Sequence, residues 1–103
     1  MGRTYDMKSI DEIRAIYRTH EREIQENYRI KQIGIFGSYV RGDQREGSDI
    51  DILVEFDEPL SLLGIVKAEN YLSELLRMKV DLVPKADLRP ELKEAILETT
   101  VYI

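Results

Sequence analysis

The chain contains no cysteine, which excludes a disulfide framework and any thiolate metal centre. It has one histidine, His20, near the apolar stripe of the first helical segment. A lone imidazole in that setting is usually structural, so no histidine-based catalysis is read from it. No apolar run approaches the roughly 20 residues of a membrane span, and no signal-peptide pattern opens the N-terminus. A cytoplasmic protein without a membrane partner is expected. Three familiar motifs are also missing. There is no G-x-x-x-x-G-K-[ST] phosphate loop and no G-x-G-x-x-G after a strand. The stretch from Asp43 to Val54 fails as a calcium loop: Arg45 and Gly47 stand where oxygen-bearing side chains belong, and Val54 takes the place of the bidentate glutamate.

Positive charge is in short supply, with 15 Lys and Arg against 20 Asp and Glu and a net charge of −5. Phosphate contacts dominate nucleic-acid affinity, so no direct nucleic-acid partner is expected. The deficit is uneven. Residues 1–48 carry nine basic against eight acidic side chains, whereas residues 49–103 carry six against twelve. The acidic half begins at Asp49, as a site that recruits cations would require. What remains is ordinary for one compact unit: 103 residues, 43% hydrophobic and 34% charged, without repeats or linkers, and so a single domain spanning 1–103.

Ser9-Ile10-Asp11-Glu12 is a capping-box pattern, and Ile10, Ile13, Ile16, Tyr17, Ile24 and Tyr28 recur at helical spacing after it. One helix from about Ser9 to Asn27 is predicted. Ile33, Ile35 and Phe36 make a first short strand. Ser38 can cap a short helix through Arg41, with Gly42 as terminator and Asp43 to Ser48 as polar loop. Ile50, Ile52, Val54 and Phe56 alternate as the apolar face of a second strand, with Asp49, Asp51 and Leu53 opposite. Ser61 opens a second long helix with Leu62, Ile65, Val66, Leu72, Leu75 and Leu76 on one stripe. Val80, Leu82 and Val83 make a third strand. Asp87 and Pro90 begin a last helix carrying Leu92, Ala95, Ile96 and Thr99, and Val101-Tyr102-Ile103 is a terminal strand or a frayed tail. This order predicts an α/β (α+β) fold, a small mixed sheet packed with helices.

The most informative segment is GSYVRGDQREGSDIDILV, Gly37 to Val54. Asp49 and Asp51 are two residues apart at a strand mouth, so they share a face and lie within reach of one metal ion. Two like charges there are costly unless a cation neutralises them, and Mg²⁺ takes oxygen ligands while leaving positions for phosphates. Asp81, in the alternating Lys79-Val80-Asp81-Leu82-Val83, is the candidate third carboxylate of a two-metal clamp. The alternative is that these are solvated charges at strand ends. Gly37 lets a phosphate approach closely, and Ser38 offers a hydroxyl beside free helix-start N–H groups; the bland reading is a serine cap after a strand. Arg41 could contact a phosphate or brace the loop through an acidic neighbour, and the two readings weigh evenly. Ser48 is a loop hydrogen bonder first and a candidate nucleotide contact second.

Gly37-Ser38, Arg41-Gly42, Ser48-Asp49-Ile50-Asp51 and a strand Asp81 together resemble the nucleotidyltransferase superfamily that includes DNA polymerase β. The small size, the wording GSYVRG…SDIDILV and Leu88-Arg89-Pro90-Glu91-Leu92 are similar to its minimal nucleotidyltransferase (MNT) branch. The resemblance implies a polymerase β palm-like fold and Mg²⁺-dependent transfer of AMP from ATP, two ions being held by Asp49, Asp51 and Asp81. Asp81 would be base or orienter, and Gly37 and Ser38 would hold the triphosphate. It further implies a partner: MNT antitoxins of HEPN–MNT toxin–antitoxin pairs adenylylate a tyrosine of the HEPN ribonuclease. Tyr39-Val40 departs from the family's usual basic or small pair, and Tyr39 is expected at the pocket rim. Two other classes stay open. One is a binding module that neutralises a partner by contact through exposed Tyr39, Tyr71 and Tyr102. The other is a small-molecule adenylyltransferase with a pocket built across a homo-oligomer.

Overall fold

The computed structural model describes residues 8–42 and 49–103. The helical pattern after Ser9 begins as its capping box requires: the Ser9 hydroxyl accepts from the Glu12 amide at 3.1 Å, and the Ser9 amide donates to the Glu12 carboxylate at 2.7 Å. The expected single helix is in fact two, α1 (Ile10–Thr19) and α2 (Glu21–Tyr28), hinged at His20 with φ −110° and ψ 15°. Side chains at the hinge compete with the backbone for helical carbonyls. The Thr19 hydroxyl donates to the Ala15 carbonyl at 2.9 Å, and His20 Nδ1 lies 3.1 Å from the Ile16 carbonyl. The break lets Ile13 and Tyr17 of α1 and Ile24 of α2 all reach the core.

The first strand, β1 (Ile30–Phe36), is longer than predicted and is followed by α3 (Ser38–Arg41). Then come β2 (Ile50–Phe56), α4 (Leu62–Leu76), β3 (Val80–Pro84), a 3₁₀ turn at Lys85–Asp87, α5 (Pro90–Thr99) and β4 (Val101–Tyr102). The four strands form one mixed sheet in the order β3-β2-β1-β4. β1 is antiparallel to both β2 and β4, whereas β2 and β3 are parallel. Parallel neighbours need a crossover, and α4 supplies it. The C-terminal tripeptide is a strand end rather than a frayed tail: Gly34 pairs with Tyr102, and the Ile103 amide donates to the Ile33 carbonyl at 3.1 Å.

Alternation splits the sheet into two unlike faces. Ile33, Ile35, Ile50, Ile52, Val54, Val80 and Leu82 are buried in one cluster with Ile13, Tyr17 and Ile24 and with Ala68, Leu72 and Leu76 of α4. The other face carries Gly34 and Phe36 of β1, Asp51 and Leu53 of β2, and Asp81 and Val83 of β3, as the pairing registers require. The stripe expected on α4 holds in part: Leu72 and Leu76 are buried and Ile65 and Leu75 pack against the core. Leu62 is 78% exposed and Val66 is exposed as well, while Ala68, Leu72 and Leu76 form the buried line. Counting large apolar residues misses Ala68, which is buried alongside Leu72 and Leu76. In α5 the expected Leu92 is exposed and no residue is fully buried.

Two of the three tyrosines expected to be exposed handles are engaged within the fold. Tyr39 is buried, at 4% exposure, rather than at a pocket rim, and its hydroxyl donates to the Lys8 carbonyl at 2.7 Å. Tyr71 stacks on Tyr28 with ring centroids 4.5 Å apart and donates to the Glu23 carboxylate at 2.7 Å. Tyr102 remains exposed.

Candidate active site

The site is built where β1 ends and β2 and β3 begin. β1 runs out at Phe36, which pairs with Asp51. The chain then turns at Gly37, φ +78°, a conformation that costs a side-chain-bearing residue about 1–2 kcal/mol. The Gly37 carbonyl accepts from the Val40 and Arg41 amides at 3.1 and 3.2 Å, so α3 springs straight from the glycine. Ser38 is therefore the first helical residue and Gly37 takes the capping position predicted for Ser38. A Cβ on Gly37 would run into the Asp51 carboxylate. Ten residues separate Ser38 from Asp49 in the sequence, yet the Gly37 turn comes directly against Asp51, and the absence of a side chain at position 37 permits it.

Register supplies the third acid. Asp51 of β2 is the direct partner of Asp81 of β3 in the parallel ladder, so both project from the same face. Asp49 precedes the first residue of β2 by one and shares that parity. The strand mouths are tied together by the Ile50 amide, which donates to the Lys79 carbonyl at 2.9 Å. Asp49 and Asp81 are exposed and Asp51 is half-buried. Burial raises the Asp51 carboxyl above its ordinary 3.8, and the charges of Asp81 and then Asp49 raise it further, while Arg41 pulls it down. Two acids and Arg41 therefore act on one carboxyl. Arg41 lies close enough to Asp51 to pull its carboxyl down, a placement that suits both readings of its role. Ser48 lies outside the described residues.

Among the described residues, no three acidic or imidazole groups converge into a ready-made metal cluster. The donor set nonetheless fits a hard divalent ion: oxygen ligands only, two of them solvent-facing, around a carboxyl already strained by its like-charged neighbours. A cavity of about 470 Å³ lies at the other end of β2, lined by Val54 to Leu60, Ile65, Pro84 to Asp87 and Lys93. None of the predicted site residues lines it, so its size does not make it the place of the chemistry.

Two residues near the candidate site belong to no sequence motif. On α4, the Glu69 carboxylate accepts from the Leu82 amide at 2.9 Å and the Ser73 hydroxyl accepts from the Val80 amide at 3.1 Å. The only sequence hint is two polar side chains four apart on a helix that is otherwise largely apolar toward the sheet.

The family model described as a nucleotidyltransferase domain matches residues 17–103. A Methanocaldococcus jannaschii protein with the provisional name protein adenylyltransferase is 50% identical over 98 residues, covering 94% of this chain and 100% of its own. The protein adenylyltransferase MntA of Thermococcus cleftensis is 43% identical over 97 residues, covering 94% and 98%. A solved structure, provisionally assigned as a minimal nucleotidyltransferase, superposes with a TM-score of 0.75 at 31% identity over 93% of this chain and 97% of that one. A more distant one comes from a complex of an AMPylated Shewanella oneidensis HEPN toxin with an MNT antitoxin. It shares the fold, with a TM-score of 0.62 at 20% identity over 87% and 70% of the two chains.

Proposed function

Because the chain belongs to the nucleotidyltransferase domain family, we propose that it transfers AMP from ATP to a tyrosine hydroxyl of a HEPN-type toxin and so acts as that toxin's antitoxin. The observation that carries the reading is the ladder register that sets Asp81 against Asp51, with the Gly37 turn pressed on the same carboxylate. Asp49, Asp51 and Asp81 would hold divalent metal, and Gly37 and Ser38 would cradle the triphosphate. Arg41 and Ser48 are further candidate phosphate contacts. Mg²⁺, when bound, neutralises phosphate charge and lowers the pKa of the acceptor hydroxyl. The chain's own residues do the rest. Asp81 orients the acceptor hydroxyl and takes its proton. The tyrosine oxygen attacks the α-phosphorus, the bond from that phosphorus to the bridging oxygen breaks, and pyrophosphate leaves. The gain comes from positioning and charge complementarity rather than from a covalent intermediate.

The relatives' names support a protein acceptor. The contact-only alternative loses support because Tyr39 and Tyr71 are occupied within the fold. The test is transfer of labelled AMP from ATP to a co-expressed HEPN protein. Asp49→Asn with Asp51→Asn is expected to cut the rate about a thousandfold, the scale of losing several kcal/mol of electrostatic stabilisation. Wild-type labelling by that double variant, or full neutralisation of the toxin by an unlabelling variant, would overturn the reading.

A further inference from the structure

Among the described residues β3 is the outermost strand, with β2 on one side and no strand on the other. Its outward amides alternate, and the ladder cannot satisfy them. They are Val80 and Leu82; the next outward position is Pro84, which has no N–H. Ser73 and Glu69 receive those two amides, at 3.1 and 2.9 Å. The match is geometric. Four residues along a helix advance about 6 Å, and two along a strand about 6.6 Å. Two side chains one turn apart on α4 therefore meet two amides one pleat apart on β3. The residue between the anchored amides is Asp81.

We propose that Glu69 and Ser73 are positioning residues: they clamp β3 to α4 on both sides of Asp81 and so fix its carboxylate opposite Asp51. The proposal rests on the reading of Asp81 as the third metal-binding carboxylate. Both act through the backbone of β3, not as metal or nucleotide ligands. Glu69 is the stronger anchor, because a charged acceptor makes the tighter bond to an amide, while Ser73 steadies the strand's first residue. A role in closing a sheet edge would explain the two bonds equally well. The two roles differ in what happens at the metal.

The experiment is a Mn²⁺ titration followed by electron paramagnetic resonance, with a non-hydrolysable ATP analogue present. The wild-type chain is expected to bind two ions, and Asp81→Asn to lose the second. Glu69→Ala should weaken the second ion about tenfold, the lower range for loss of a supporting partner behind a metal ligand, and leave the first within about twofold. Glu69→Gln keeps an acceptor oxygen for the Leu82 amide and should restore binding to within about threefold. Glu69→Ala combined with Asp81→Asn should be no worse than Asp81→Asn alone, since residues acting through one another are non-additive. Unchanged binding of both ions in Glu69→Ala, with loss in Asp81→Asn, would overturn the clamp and leave the site reading intact. Unchanged binding in Asp81→Asn would overturn both. Should Glu69→Ala fail to fold, the glutamine variant and Ser73→Ala carry the comparison: equal weakening of both ions by Ser73→Ala would also refute the clamp.

Discussion

The two faces of β2 set a packing face against the face of the candidate site within seven residues. Ile50, Ile52 and Val54 point into the cluster formed with α1, α2 and α4 and are almost wholly buried. Asp51, between them, points the other way, toward Gly37 and Asp81. The first face gains from removal of water. The second pays for it, because burial and two neighbouring acids all push the Asp51 carboxyl toward its neutral form. A strand this short can carry an expensive site because its reverse side is anchored by aliphatic residues that tolerate nothing polar.

The contrast predicts opposite phenotypes on adjacent residues. Asp51→Asn should lower AMP transfer by about 10²–10³-fold without lowering the melting temperature of the metal-free chain. Ile52→Ala should do the reverse. Truncating a fully buried isoleucine costs about 2–5 kcal/mol, a fall in melting temperature on the order of 10 °C or more for a domain this size, with transfer per folded molecule preserved. Paired thermal melts and rate measurements on both variants decide it; a shared phenotype would mean that the faces are not independent. Gly37→Ala falls between them. It meets both the left-handed backbone and the Asp51 carboxylate, so it should lose about 1–2 kcal/mol and also reduce transfer. Restored transfer in an otherwise destabilised Gly37→Ala chain would show that the contact with Asp51 does not matter.

The shared face of the three candidate acids was legible because it rides on period-two alternation, and alternation survives folding. Asp49 and Asp51 needed no tertiary knowledge to be placed on one face, and Asp81 needed only that β3 lie parallel to β2. Tyr39 was not legible. Its place beside the Gly-Ser turn suggested the rim, but α3 turns it inward, where a backbone carbonyl 31 residues away accepts its hydroxyl. Glu69 and Ser73 were hidden for a related reason: their partners are backbone amides of an edge strand, and edges are a property of the sheet's order, not of any segment. The break at His20 was missed because the apolar spacing continues across it while the backbone does not.

Smaller effects probe the same division. Tyr39→Phe removes one half-buried hydrogen bond and should cost about 1 kcal/mol without changing transfer, which a denaturant melt beside a rate assay would establish. The smallest effect concerns Asp51 and pH. A carboxyl whose folded pKa stands above its unfolded value binds its proton more tightly in the native state. That contribution is complete below the unfolded value of 3.8 and is lost as pH climbs through the raised folded value. At neutral pH, ionised Asp51 therefore works against the metal-free fold. Asp51→Asn lacks that liability, so it should melt above the wild type at pH 7 and lose the advantage at about pH 3, where the aspartate is protonated in both states. Adding Mg²⁺ at pH 7 should raise the wild-type melting temperature and leave the asparagine variant nearly unmoved, since a ligand stabilises only the chain that binds it. A variant advantage that persists at low pH would place its origin in packing rather than in the repulsion among the three acids.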